Sequence, residues 1–228
     1  MSLACAQCPV RDSAACAVLE PAEREALARA GRTVDLNAGE MLFAAGDENA
    51  ACATLVCGAL KVSNCDADGT EHILALLHPA GFVGEMFAPF ARHDVIALAP
   101  SRLCVFARGD LEAALAEYPR LSGALLRRAQ EDLHSARTLL ALGTRTSAAA
   151  RVAGLIAGFA QGASTSPCHP AARFDLPLSR GEMAAMLGLT IETVSRQFGN
   201  LEGRGAIRRH GKRGIELVDP ALLHQLAD

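Results

Sequence analysis

The sequence predicts an α+β chain in which an antiparallel β domain and a smaller helical domain are joined by a long helix. Three observations carry that prediction. Short apolar runs broken by turn formers fill residues 33–106, a Pro-free stretch follows Pro119, and the last 50 residues hold two capped helix starts ahead of a basic hairpin pattern. At 228 residues the chain is long enough to bury one large core or two modest ones.

The β domain is read from MLFAAGDENA, TLVCGALKV, HILALLHPAGFVGE, VIALA and RLCVF, with Gly39, Gly46, Gly58, Gly69, Gly81 and Gly84 where the chain must reverse. Runs of this length between turn formers are strands of an antiparallel sandwich or roll. Asp110 is placed to cap a short helix over Leu111–Glu117, and Pro119 suits the first turn of the next, where its missing N–H has no partner to lose. From there to about Leu142, the residues Leu126, Ala129, Leu133, Ala136 and Leu140 follow at steps of 3, 4, 3 and 4, an a/d seam. A helix of 24 residues is about 36 Å long and overhangs a small domain, so self-association is expected over packing on its own domain. Gly143–Ser147 reads as a hinge, SAAARVAGLIAGFA as a helix and QGASTSPCHPAARFD as a loop.

In the last segment Ser179 with Glu182 forms a capping box, the helix it opens ends near Gly188, and Thr190 caps a second helix to about Leu201. Ile191, Val194, Phe198 and Leu201 make its apolar face, which leaves Glu192, Ser195 and Arg196 on the opposite one. Two short helices around a glycine describe a helix-turn-helix. Arg grips guanine bidentately, Glu accepts from cytosine and Ser serves several base edges, so this trio suits the major groove. GAIRRHGKRGIELVD then reads as a wing of two strands around a basic tip. Ser179, Arg180 and Thr190 at the helix starts, with Arg209 and Lys212 on the wing, are expected to meet phosphates.

Charge supports the division. Residues 1–145 carry 13 Lys and Arg against 18 Asp and Glu, a net of −5, while residues 146–228 carry 9 against 7, a net of +2. No apolar stretch reaches the roughly 18 residues of a membrane span, and no basic flank leads into an apolar run at the N-terminus. A soluble, cytoplasmic protein in a reducing compartment is expected, where clustered thiols bind metals or sense redox state rather than form disulfides. Three of the eight cysteines, Cys5, Cys8 and Cys16, crowd into CAQCPVRDSAAC. Taken alone, that spacing suits structural zinc as well as an iron–sulfur cluster. Cys52, Cys57 and Cys65 lie in or beside apolar strands and are expected to pack; Cys168 carries no assigned role. No P-loop, Rossmann glycine pattern or catalytic triad is present, and an enzyme is not expected.

With these elements in place the sequence resembles the CRP/FNR superfamily of bacterial transcription regulators over nearly its whole length. NAGEMLFAAGDE, CGALKV and HPAGFVGE resemble the family's cyclic-nucleotide-binding-like roll, the seam helix its dimerisation helix, and SRGEMAAMLGLTIETVSR its DNA-binding signature. The resemblance implies a tail at 1–20, a sensor roll at 21–117, a dimerisation helix at 118–143 and a winged helix-turn-helix at 144–228. Glu192-x-x-Ser195-Arg196 resembles the FNR branch, which implies palindromic DNA with TTGAT-like half-sites, a homodimer and RNA polymerase as a partner. It also implies a 4Fe-4S cluster on Cys5, Cys8, Cys16 and Cys104, and hence oxygen sensing. Members that bind cyclic AMP hold its phosphate with an adjacent Arg-Ser or Arg-Thr. Here Arg92 is followed by His93 and Asp94, so the nucleotide pocket reads as vestigial. The best-known members carry an acidic residue where this chain has Ala136, so the cluster-free form is expected to dimerise more readily here.

Overall fold

A computed structural model describes residues 5–145, 147–164 and 169–227. The described residues begin with two 3-10 turns, Cys5–Gln7 and Ala15–Val18, followed by helix α1 (Pro21–Ala30). Pro21 takes the first helical position, and the Glu20 and Glu23 side chains exchange bonds with each other's backbone as a capping box. Eight strands follow: β1 (Gly31–Leu36), β2 (Met41–Phe43), β3 (Ala51–Cys57), β4 (Leu60–Cys65), β5 (Glu71–Leu77), β6 (Phe82–Val83), β7 (Asp94–Ala97) and β8 (Ser101–Ala107). They form two four-stranded antiparallel sheets, ordered β1-β8-β3-β6 and β2-β7-β4-β5. Ala53, Leu55, Leu60, Val95, Leu103 and Val105 are in the core between them.

Helix α2 spans Arg108–Glu117 and α3 Pro119–Thr144. The expected cap at Asp110 is corrected. Ala107 is the N-cap residue and makes no side-chain cap bond, because β8 passes directly into α2 with the Arg108 amide still bonded to Ala50. Asp110 thus sits inside the first turn, where its charge complements the helix dipole. Leu121 and Ala124 of α3 are buried, whereas Leu126, Leu133 and Leu140 are 64%, 49% and 74% exposed. Of the seam, Ala129 is exposed and Ala136 half-buried.

The chain divides into two compact units, residues 1–69 with 74–136 and residues 137–228 with 70–73. In the second, α4 (Ala148–Gly162) is capped by Ser147, β9 (Arg173–Asp175) precedes α5 (Arg180–Leu187) and α6 (Ile191–Gly203), and β10 (Ile207–His210), β11 (Gly214–Leu217) and α7 (Pro220–Ala227) finish the chain. The expected loop after α4 therefore ends in a strand: Phe174 pairs with Ile215, which makes the wing a three-stranded sheet ordered β10-β11-β9. Cys168 lies outside the described residues. Arg151 of α4 donates from Nε to the Arg145 carbonyl (2.8 Å) and from Nη1 to the Leu187 carbonyl (3.0 Å), tying the segment before α4 to the end of α5.

Among the described residues no helix is long and apolar enough to cross a membrane.

Candidate functional site

The cysteine-rich tail folds onto the β domain rather than trailing from it. Its turns are closed locally, by Ala14 N–H to Val10 O (2.8 Å) and Ala17 N–H to Ala14 O (2.9 Å) among others. Val10 and Ala14 are then buried against Val56 and Ala80, with Cys8, Cys16 and Cys104 packed around them. Cys104 comes from β8, where it stands opposite Thr33 of β1 and Thr54 of β3.

Cys5, Cys8, Cys16 and Cys104 line one cavity of about 40 Å³. Its other walls are largely apolar and include Leu27 of α1, Phe106 of β8 and Leu121 and Leu125 of α3. Two cations, Arg11 and Arg24, also line it, and among the described residues no carboxylate or imidazole does. Burial raises the thiols of Cys5 and Cys16, and that of Cys104 is pushed up to about 12, first by burial and then by the neighbouring sulfurs of Cys8, Cys5 and Cys16. Arg24 pulls the first two partly back. Four cysteines, the guanidinium of Arg24 and no carboxylate in the lining make a set suited to thiophilic metals, which bind the cysteines as thiolates. Among the described residues no three His, Cys, Asp or Glu side chains gather around a single point as one metal ion would require.

The remaining cysteines part company. Cys52 is buried as expected, but Cys57 and Cys65 are exposed. Both are the last residues of their strands, and a register shift between Leu55 and Cys57 turns Cys57 outward.

At the nucleotide position of the roll, Arg92 pairs with Glu85 (3.4 Å) and Asp94 accepts from the Ala45 amide (2.8 Å). His93 Nδ1 meets Asn64 Oδ1 at 2.8 Å. Gly84, at φ +133°, passes so close to β3 that a Cβ there would stand 2.7 Å from that of Cys52.

In the second unit Ser179 Oγ accepts from the Glu182 amide (3.2 Å), and the Glu182 carboxylate accepts from the Ser179 amide (2.8 Å). Gly188 ends α5 in the left-handed region at φ 61°, ψ 43°. Thr190 Oγ1 accepts from the Thr193 amide (3.2 Å) and caps α6. Val194, Phe198 and Leu201 are buried, but Ile191 is 51% exposed, which corrects its place on the buried face. Gln197 is buried instead and accepts from Asn200 (3.1 Å).

Glu192, Ser195 and Arg196 share the exposed face of α6. Hydrogen bonds from its own amide and from Thr190 hold the Glu192 carboxyl below its usual range, keeping it an anion that accepts hydrogen bonds. Of the residues expected to meet phosphates, Lys212 stands exposed between β10 and β11. Arg209 is engaged by Glu202, and Arg180 lies over the Phe198 ring, 3.3 Å from its centroid.

Sequence reasoning missed Arg24 and the whole of α1. A signal was present, since Arg24 shares a helix face with Leu27 and Ala28, three and four residues on.

Comparison with known proteins agrees with both halves. A family model described as a cyclic nucleotide-binding domain matches residues 33–118, and one described as a Crp-like helix-turn-helix domain matches residues 120–226. The transcriptional activator protein FnrL of Cereibacter sphaeroides is 32% identical over 98% of this chain and 92% of its own. The nitrogen fixation regulation protein FixK of Bradyrhizobium diazoefficiens is 33% identical over 98% and 93%. The solved structure of FixK2 from Bradyrhizobium japonicum superposes with a TM-score of 0.77 at 25% identity, covering 87% of this chain and 98% of its own. The roll, the long helix and the capped helix pair with its wing, together with these relatives, place the chain in the CRP/FNR family of DNA-binding transcription regulators, a family of regulators and not of enzymes.

Proposed function

We propose that the chain is an oxygen-responsive regulator in which Cys5, Cys8, Cys16 and Cys104 hold a 4Fe-4S cluster and DNA is bound as a homodimer under low oxygen. The observation that carries this reading is the convergence of three tail cysteines and one strand cysteine, almost a hundred residues apart, on one cavity whose described lining holds no carboxylate. Four sulfurs set around a cavity suit a cluster, which spreads its ligands, better than zinc, whose thiolates lie about 2.3 Å from a single centre. When bound, the cluster supplies an oxygen-labile link between tail and domain. The protein's own residues supply the rest. Cys104 anchors the link to β8, and Leu121 and Leu125 place the start of α3 in the wall of the same cavity.

Leu126, Leu133 and Leu140 then present an apolar stripe that a second copy of α3 would cover, with Ala129 and Ala136 completing the seam. Pairing sets two α6 helices for successive major-groove turns of a palindrome. Glu192, Ser195 and Arg196 would read TTGAT-like half-sites, while Ser179, Arg180, Thr190, Arg209 and Lys212 meet the backbone. The relatives named as activators support contact with RNA polymerase, and the cytoplasm is the compartment for this work. With Arg92 paired to Glu85 and followed by His93 and Asp94 rather than Ser or Thr, a cyclic nucleotide is not the signal.

Titration of palindromic DNA with anaerobically prepared protein, repeated after exposure to air, tests the reading. Tight binding lost in air supports it. Binding indifferent to air would sink oxygen control, and a requirement for a cyclic nucleotide would restore the pocket set aside here.

A further inference from the structure

Among the described residues the tail forms only 3-10 turns, and the second of these is bonded to α1 through one side chain. Arg24 of α1 donates from Nε to the Cys16 carbonyl (3.3 Å) and from Nη2 to the carbonyls of Ala17 (3.3 Å) and Leu19 (3.1 Å). The Cys16 carbonyl also accepts from the Leu19 amide (3.2 Å), and a planar guanidinium with several fixed donors is the side chain suited to gather all three carbonyls. Leu27 and Ala28, on the same face of α1, are buried and line the cysteine cavity with Arg24 itself. The clamp thus spans the segment that carries Cys16 to Leu19, and Leu19 is buried beside Leu27 and Phe106.

We propose that Arg24 is the positioning residue of the ligand set, fixing Cys16 beside Cys104 before any metal arrives. The order in the metal-free tail follows from the hydrogen bonds alone. Its consequence for cluster assembly rests on the function proposed above. The guanidinium's shape, rather than its charge, does the holding, because an ammonium is a compact donor that cannot fork across the same three carbonyls.

Amide hydrogen exchange of the metal-free, full-length protein tests the clamp directly. In Arg24→Ala, amides of residues 13–19 should exchange at least about tenfold faster than in wild type. Core amides of β3 and β8 should be unchanged, which shows that the variant folds. Arg24→Lys should behave like the alanine variant despite keeping the charge. Under anaerobic reconstitution Arg24→Ala should also take up iron and sulfide several-fold more slowly. Unchanged exchange in Arg24→Ala, protection fully restored by lysine, or loading as fast as wild type would overturn the proposal. A wild-type chain that takes up no iron and sulfide would overturn the cluster reading instead, and the exchange measurement would still decide on the clamp.

Discussion

Glu202, at the end of helix α6, grips Arg209 of strand β10 through both its guanidinium, 2.7 Å from Nε, and its backbone amide, at 3.0 Å. The pair fixes β10 relative to α6, the helix proposed to read bases. It is partly exposed, so its worth lies in geometry more than in stability. Glu202→Gln is expected to leave the melting temperature nearly unchanged while weakening DNA binding, because Arg209 and the wing lose their fixed position. A melting curve and a titration on the same preparation check this, and unchanged affinity would count against it.

Arg196 and Lys212 should fail in different ways. Arg196 lies on the exposed face of α6, so Arg196→Ala is expected to cost about 1–3 kcal/mol per half-site on the matched sequence and far less on random DNA. Lys212→Ala should weaken both alike and lower the slope of log affinity against log salt by about 1 per protomer. Titrations on both DNAs at several salt concentrations separate the two.

How far the sequence determined these features depends on how local their causes are. The Ser179–Glu182 box, the Thr190 cap and the turn at Gly188 each rest on residues within a few positions, and the structure has all three. Asp110 obeyed the same local rule and failed, because the Arg108 amide is claimed by Ala50, far away in sequence. Cys57 turned outward through a register shift in β3 and Cys65 is exposed as the last residue of β4, neither of which composition carries. Ile191 misled because it sits in the first turn of α6, where a helical face has not yet reached the core. The family resemblance pointed to Cys104 as a companion of the tail cysteines; for Arg24 the pattern offered only a helix face shared with Leu27 and Ala28, because its partners are carbonyls, which every residue has.

Glu216 of β11 accepts hydrogen bonds from His210 (2.8 Å), Arg173 (3.1 Å) and Arg208 (3.2 Å), joining all three wing strands. Those partners, His210 first, hold its carboxyl down at about 2. A depressed carboxylate stabilises the fold above its ordinary range and loses that contribution as pH falls through the folded value. Wild type should therefore be more stable than Glu216→Gln at pH 6, and the two should converge between about pH 4.5 and 2. Denaturation followed by circular dichroism across that range checks the sign, and a constant difference would contradict it.

Leu133 is half exposed and Ala136 half-buried on the seam face of α3. Leu133→Glu should give a monomer with or without air, since like charges would face each other across the pair. Ala136→Asp should leave the anaerobic dimer but make the air-exposed protein monomeric, whereas air-exposed wild type retains measurable association. Sedimentation of the three proteins decides; a strictly monomeric air-exposed wild type would refute the role given to Ala136.

The proposed cluster is tested most directly by the iron, sulfide and zinc content of protein purified without oxygen, with absorbance before and after air. About four iron and four sulfide per chain, a brown colour bleached by air, and loss of both in Cys104→Ser are the predicted result. A colourless protein carrying about one zinc per chain and indifferent to air would contradict it.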